Sequence, residues 1–310
     1  MREERGAETV LRGADALRSL AGIYQQLYLD PAQPESREVY RAIVRRGQDA
    51  VSRSLDHFRT DADDILETVA TPAGEVTVLT LCVRQDFETF LRIMAERCEM
   101  SVIPASQGAS MLNGVINWQK IRSHKAEWLR EESDRGITDP DWSAEFKRFT
   151  ADGKNYKDAL IVLSTGPYSN LEASELGLDE TEWIGRSQLI RKNHELTHFF
   201  CRRKYPEQVH AVWDEVVADA AGILAAFGRF DRRMEERFLG IGENGYMGGR
   251  LENYLGEGED PNRLALRIRE WLLRIGELYE NEQPSDMFDF VTLLEERQQQ
   301  FMNDGGETGS

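Results

Sequence analysis

The 310-residue chain carries 38 Lys and Arg against 55 Asp and Glu, a net charge of −17 at pH 7. That acidity argues against binding a nucleic acid backbone or an anionic membrane surface, since both repel a negative protein at long range. Three cysteines (Cys82, Cys98 and Cys201) form no C-x-x-C pair and leave an odd total, which fits a reduced cytoplasmic protein whose thiols pack, rather than a disulfide-stapled secreted one.

The opening stretch MREERGAETVLRGADALRSLAGIYQQL mixes acidic and basic residues and has no uninterrupted apolar run of signal-peptide type. No later run is long and apolar enough to span a bilayer, so neither a membrane nor a nucleic acid is expected as a partner. The first seventy residues predict helices: AETVLRGADALRSLAGIYQQLYL has apolar residues at three- and four-residue spacings, and REVYRAIVRRGQDAVSRSLDHF resumes the pattern after DPAQPES. At TPAGEVTVLTLCV a Pro-Gly turn leads into a β-branched run of strand length. It is followed by the helical DFETFLRIMAERC and the strand-like MSVIPA. SQGASMLNGVINWQKI is rich in small residues and gives no clear period, whereas SHKAEWLREESDRG reads as a solvated helix. DALIVLSTGPYS, residues 158–169, predicts a strand closed by a Gly-Pro turn.

From Glu180 the pattern turns helical again, and ETEWIGRSQLIRKNHELTHFFCRRK predicts one long helix that stops where Tyr205-Pro206 forbids continuation. EQVHAVWDEVVADAAGILAAFGRF predicts the next. A glycine-rich connection, GIGENGYMGGRLENYLGEGEDP, precedes two amphipathic helices, NRLALRIREWLLRIGELYENE and SDMFDFVTLLEERQQQFM. The reading is an α+β, mainly α-helical protein. Residues 1–150 form an N-terminal helical and α+β region, 151–304 a metal-binding region, and 305–310 a disordered tail.

Chemistry concentrates in NHELTHFF, residues 193–200. Residues four apart lie one above the other on a helix, so His194 and His198 can address one shared cation. Glu195, one residue round from His194, stands where a general base reaches water beside the metal without ligating it. Random placement produces an H-E-x-x-H roughly once in a hundred such sequences, and two histidines on a helix can be a satisfied polar face, so the motif needs company. The next helix supplies it. Glu215 follows His198 by seventeen residues, Asp219 lies one turn further on, and Ala211, Ala218 and Gly222 let the two helices approach. Glu215 is thus the candidate third ligand, and Asp219 the carboxylate expected to accept the free N–H of a ligating imidazole.

At these residues the chain resembles the gluzincin metallopeptidases, and the thermolysin-like ones in particular. The shared pattern is His194-Glu195-Leu196-Thr197-His198 followed by Glu215-Val216-Val217-Ala218-Asp219 with Gly222 behind, over about residues 190–228. The resemblance implies a zincin-like core with a small sheet and a long active-site helix. It implies Zn2+ held by His194, His198 and Glu215, Glu195 as base and proton shuttle, and Asp219 as the orienting group. The expected activity is hydrolysis of a peptide or protein substrate, or of an amide-containing small molecule, by Glu-assisted attack of zinc-held water. The family also places a strand that pairs with extended substrate shortly before the zinc helix, and ALIVLSTGPYS occupies that position.

Weaker signals surround this core. His210, near the start of the second helix, is a candidate proton donor to a developing oxyanion, against an ordinary exposed histidine. In GYMGGRLENYL, glycines let backbone approach a ligand, so Arg250 is a candidate clamp for a substrate carboxylate and Tyr246 or Tyr254 a candidate oxyanion donor. A second E-x-x-H, Glu207 to His210, raises a di-iron alternative, which its closeness to the first copy disfavours. GIGENG at 240–245 matches G-x-G-x-x-G but follows a charged helical stretch rather than a strand, so it reads as a flexible loop. A non-catalytic, metal-stabilised binding protein is the alternative of another class.

Overall fold

Residues 10–303 are described by a computed structural model, and they form two compact units. One holds the chain up to Val69 together with Glu75–Ser164, and the other Ala70–Gly74 together with the chain from Thr165 onward. The division falls after Ser164 rather than at residue 150, so the strand that ends there groups with the first unit. The expected tail, 305–310, and the start of the first expected helix, before residue 10, lie outside the described residues.

In the first unit the chain runs Leu11–Arg12 (β1), Ala14–Ile23 (α1), Ser36–Arg46 (α2), Ile65–Thr71 (β2), Gly74–Leu81 (β3), Arg84–Met94 (α3), Ala109–Ile116 (β4), Trp118–Asp134 (α4), Trp142–Thr150 (α5) and Lys157–Ser164 (β5). These strands make one mixed sheet in the order β1-β2-β3-β5-β4. β3 pairs β5 in parallel, Val78 opposite Ile161, and β4 pairs β5 antiparallel, Met111 opposite Ile161. Leu79 and Leu81 alternate onto the face covered by α1 and α3, where Leu17, Leu20, Phe87, Phe90, Leu160 and Val162 form the core.

Several expectations change here. The second helix stops at Gly47, which takes a left-handed φ of 65°, and residues 47–64 are irregular instead of helical. β2 stands where helix was expected, MSVIPA is not a strand, and β4 comes from the small-residue stretch that showed no period. β5 is flanked by β3 and β4, so both of its edges are occupied and it offers none to an extended substrate. His57 and His124 are partnered rather than merely solvated: His57 Nε2 lies 3.0 Å from the Leu27 carbonyl, and His124 meets Glu145 and stacks on Phe149.

The second unit is helical: Ala173–Leu176 (α6), Glu180–Lys204 (α7), Ala211–Phe227 (α8), Arg232–Leu239 (α9), Pro261–Glu282 (α10), Met287–Glu296 (α11) and Gln298–Asn303 (α12). α7 has the bounds the sequence predicts. Asp179 accepts from the Glu182 N–H at 2.9 Å to cap its start, acidic residues fill its first turn, and Arg202, Arg203 and Lys204 complement the dipole at its end. GIGENG forms a tight hairpin of Ile241–Gly242 (β6) and Gly245–Tyr246 (β7), not a loose loop. Pro261 opens α10 at a position where a missing N–H costs nothing. The protein is α+β and mainly helical, with a small mixed sheet. Among the described residues, no helix is long and apolar enough to cross a membrane.

Candidate metal centre

The centre is built where α7 and α8 run antiparallel. Arg186 reaches the Ala226 carbonyl, Ile190 faces Gly222, His194 meets Asp219, and His198 meets Glu215, so each turn of one helix matches a turn of the other. The backbones come close because Gly222 has no side chain: a Cβ there would stand 2.9 Å from the Ile190 carbonyl oxygen. That proximity lets a short glutamate side chain reach two imidazoles across the helix pair.

His194 and His198 face each other with their Nε2 atoms 3.0 Å apart. Glu215 closes the triangle, Oε2 at 3.5 Å from His194 Nε2 and Oε1 at 3.4 Å from His198 Nε2. Metal bonds of about 2.0–2.1 Å at tetrahedral angles require ligand atoms about 3.3 Å apart, so this donor set fits a small divalent cation with a fourth corner left over. Among the described residues, no other group of three His, Cys, Asp or Glu converges in this way. Glu195 sits beside His194 on α7, half-buried, and its carboxylate makes no hydrogen bond or ion pair among the described residues.

Asp219 takes the place expected of it. Its Oδ1 accepts from His194 Nδ1 at 2.8 Å, which fixes the ring's tautomer and turns the Nε2 lone pair toward the triangle. Burial alone would lower the His194 pKa, but Asp219 and Glu215 outweigh it and push it up to about 10, so the two carboxylates favour a positive charge at this position, which a proton or a bound cation can supply. Burial would raise the Glu215 carboxyl, yet the two histidines hold it well below the ordinary carboxylate range. Asp219 is fully buried and is likewise held low, against its burial, chiefly by the Arg250 guanidinium 2.8 Å from its Oδ2.

Other expectations are corrected. Arg250 belongs to the cluster, but it is engaged by Asp219, by Glu215 at 3.6 Å and by the Ser169 hydroxyl at 3.2 Å, so it is not a free clamp for a substrate carboxylate. His210 caps α8 instead of facing the cluster: its Nδ1 accepts from the Trp213 N–H at 3.1 Å. Glu207 and His210 lie in the connection between α7 and α8, so they supply no second helical E-x-x-H. Tyr246 braces its own loop, accepting from the Gly249 N–H at 2.7 Å and donating to the Gly249 carbonyl at 3.0 Å. Of the two loop tyrosines, Tyr254 is the one at the centre, donating to Glu215 Oε2 at 2.8 Å.

Sequence reasoning missed Tyr168. Its hydroxyl donates to Asp219 Oδ1 at 2.6 Å and lies 3.0 Å from His194 Nδ1, while the Arg191 and Arg250 guanidiniums lie over its ring, 5.7 Å and 5.2 Å from the centroid. The next two residues, Ser169 and Asn170, have φ of 52° and 57°, a conformation uncommon for non-glycine residues, and this turn aims Tyr168 inward. It missed Glu235 as well, fully buried and without a hydrogen-bond partner, whose carboxyl is pushed well up first by burial and then by Asp219.

No curated protein and no solved structure matches the chain. A family profile does match, and its span of residues 31–274 takes in every residue of the cluster, from Tyr168 to Tyr254; the chain therefore belongs to the DUF7005 family, a family of unknown function.

Proposed function

We propose that the chain is a zinc-dependent hydrolase of amide bonds, a metallopeptidase-like enzyme with a zincin-like centre acting on peptides or proteins in the cytoplasm. The observation that carries this reading is the triangle of His194 Nε2, His198 Nε2 and Glu215, with Asp219 seated behind His194. A divalent cation held there supplies Lewis acidity, which makes water acidic near neutral pH and polarises a carbonyl. The chain's own residues do the rest. Glu195 takes a proton from the attacking water and returns it to the departing nitrogen. Asp219 keeps His194 in one tautomer, and Tyr168 and Arg250 keep Asp219 in place, the phenol by a hydrogen bond of 2.6 Å and the guanidinium by an ion pair of 2.8 Å. None of the three cysteines is in a disulfide, which accords with the cytoplasmic address.

A second reading, hydrolysis of an amide-containing small molecule by the same centre, draws on two features. β5 has no free edge for an extended peptide, and Arg250 is engaged by site carboxylates rather than open to a substrate. Metal analysis of purified protein tests the centre: one zinc per chain is expected, lost in His194→Ala. Glu195→Gln is expected to keep its zinc and lose all hydrolysis in a screen of peptide libraries and small amides. A fully active Glu195→Gln would refute the base assignment, and the class of substrate cleaved separates the two readings.

A further inference from the structure

The two carboxylates of α8 are met by a matching pair from one short segment. Arg250 and Tyr254 are the first and last residues of a 3-10 turn, Arg250–Tyr254, and they reach Asp219 and Glu215, themselves one helical turn apart. This turn is firmly placed. Leu251 is fully buried beneath it, and Gly240 approaches Gly248 so closely that a Cβ on Gly240 would meet the Gly248 carbonyl at 2.2 Å. Tyr246 bridges both backbone groups of Gly249, and the Tyr246 N–H donates to Asn262 Oδ1 at 3.0 Å. The glycine-rich connection is therefore a strap pinned just ahead of its turn and anchored within it by Leu251.

The strap treats the two oxygens of Glu215 differently. Each oxygen lies beside one imidazole, Oε2 3.5 Å from His194 Nε2 and Oε1 3.4 Å from His198 Nε2, but Oε2 also accepts from the Tyr254 hydroxyl at 2.8 Å and has Arg250 Nη2 at 3.6 Å, whereas Oε1 meets only His198 among the described residues. A carboxylate with both oxygens free can close on a cation through either or both. We propose that Tyr254 is a positioning residue of the metal centre: its hydroxyl holds Glu215 Oε2 back, so that Glu215 offers the metal Oε1 alone and the centre keeps three protein donor atoms. This rests on the metal centre of the proposed function and adds to it the number of carboxylate oxygens that bind. Hydrogen-bonding partners of metal ligands set both their orientation and their donor strength.

The test uses the full chain loaded with Zn2+ or Co2+. In Tyr254→Phe, Glu215 is free to swing to two-oxygen binding. The visible absorption of the cobalt form is expected to weaken, as it does when four-coordinate cobalt gains a ligand, and zinc affinity measured against a chelator is expected to fall by roughly 10- to 100-fold. Tyr246→Phe, which loosens the strap and leaves the Tyr254 phenol intact, is expected to shift the spectrum in the same direction by less. It also serves if Tyr254→Phe does not fold. A cobalt spectrum unchanged in Tyr254→Phe overturns the proposal, even with weakened affinity, because a merely structural tyrosine would lower affinity without adding a ligand atom. If wild type binds neither Zn2+ nor Co2+, the metal centre itself is refuted, and the role of Tyr254 falls with it.

Discussion

Asp219 ties His194 to Tyr168 and Arg250. One oxygen accepts from His194 and Tyr168, the other pairs with Arg250, and the carboxylate has no exposed surface. Asp219→Asn keeps the shape and removes the charge, leaving a largely buried guanidinium with the neutral Ser169 hydroxyl and, as its remaining ionic partner at the centre, the more distant Glu215. Breaking one partner of a buried ion pair costs about 3 kcal/mol or more, so urea unfolding of the metal-free variant should show a loss of that order. Zinc affinity should also drop by roughly 10- to 100-fold, because the His194 ring loses the partner that fixes it. Wild-type stability and affinity in this variant would refute the role given to Asp219. The convergence of His194, His198 and Glu215, and the place of Asp219 behind His194, were legible in sequence because a helix converts spacing into geometry: four residues make about one turn, whatever lies elsewhere. Tyr168 was not, and Tyr254 was legible only as one of two candidate oxyanion donors and not as the partner of Glu215, since both positions depend on turns whose backbone course no spacing rule encodes, with Ser169 and Asn170 both left-handed beside Tyr168.

At the scale of elements, the α7–α8 pair owes its closeness to Gly222, and two glycines in these helices give a controlled comparison. In Gly222→Ala the new Cβ meets the backbone oxygen of Ile190 at 2.9 Å and Ile190 Cγ2 at 3.1 Å, so the helices must separate. Overpacking of this kind costs about 1–3 kcal/mol, and the separation should also weaken zinc binding, because Glu215 then falls short of the imidazoles. Gly185→Ala, on α7 with no atom within 4 Å of its new Cβ, should instead raise stability by about 0.5–1 kcal/mol through helix propensity and leave zinc affinity unchanged. Equal responses of the two variants in thermal unfolding and metal titration would show that close approach at Gly222 does not matter. α7 could be read to its terminal residues because a capping Asp and a proline punctuate it. The sheet was harder: β4 carries Gly114 at a bulge between Asn113 and Val115, which breaks the two-residue alternation, and α2 was overrun because the stop at Gly47 sits inside an otherwise helical pattern.

For the molecule as a whole, stability against pH is set by the few buried groups whose folded and unfolded proton affinities differ. Glu295 on α11 is 3% exposed, accepts from Trp213 Nε1 at 3.1 Å, and has its pKa raised from 4.5 to about 7, first by burial and then by the nearby charge of Asp214. With the folded pKa above the unfolded one, the folded state binds more protons between about 4.5 and 7, so stability falls as pH rises through that window. The cost above pH 7 is at most about 3 kcal/mol, reduced by whatever water reaches the carboxylate. The net charge of −17 works in the same direction, since self-repulsion grows as the carboxylates ionise, so wild type alone cannot apportion the trend. Glu295→Gln separates the two contributions: the amide still accepts from Trp213 but cannot ionise. Urea unfolding of both proteins at several values from pH 4.5 to 8 should therefore show the wild-type curve descending more steeply, with the variant the more stable of the two above pH 7. Parallel curves would mean that Glu295 ionises as freely in the folded chain as in the unfolded one, and that its burial against α8 is not what the α11 packing implies.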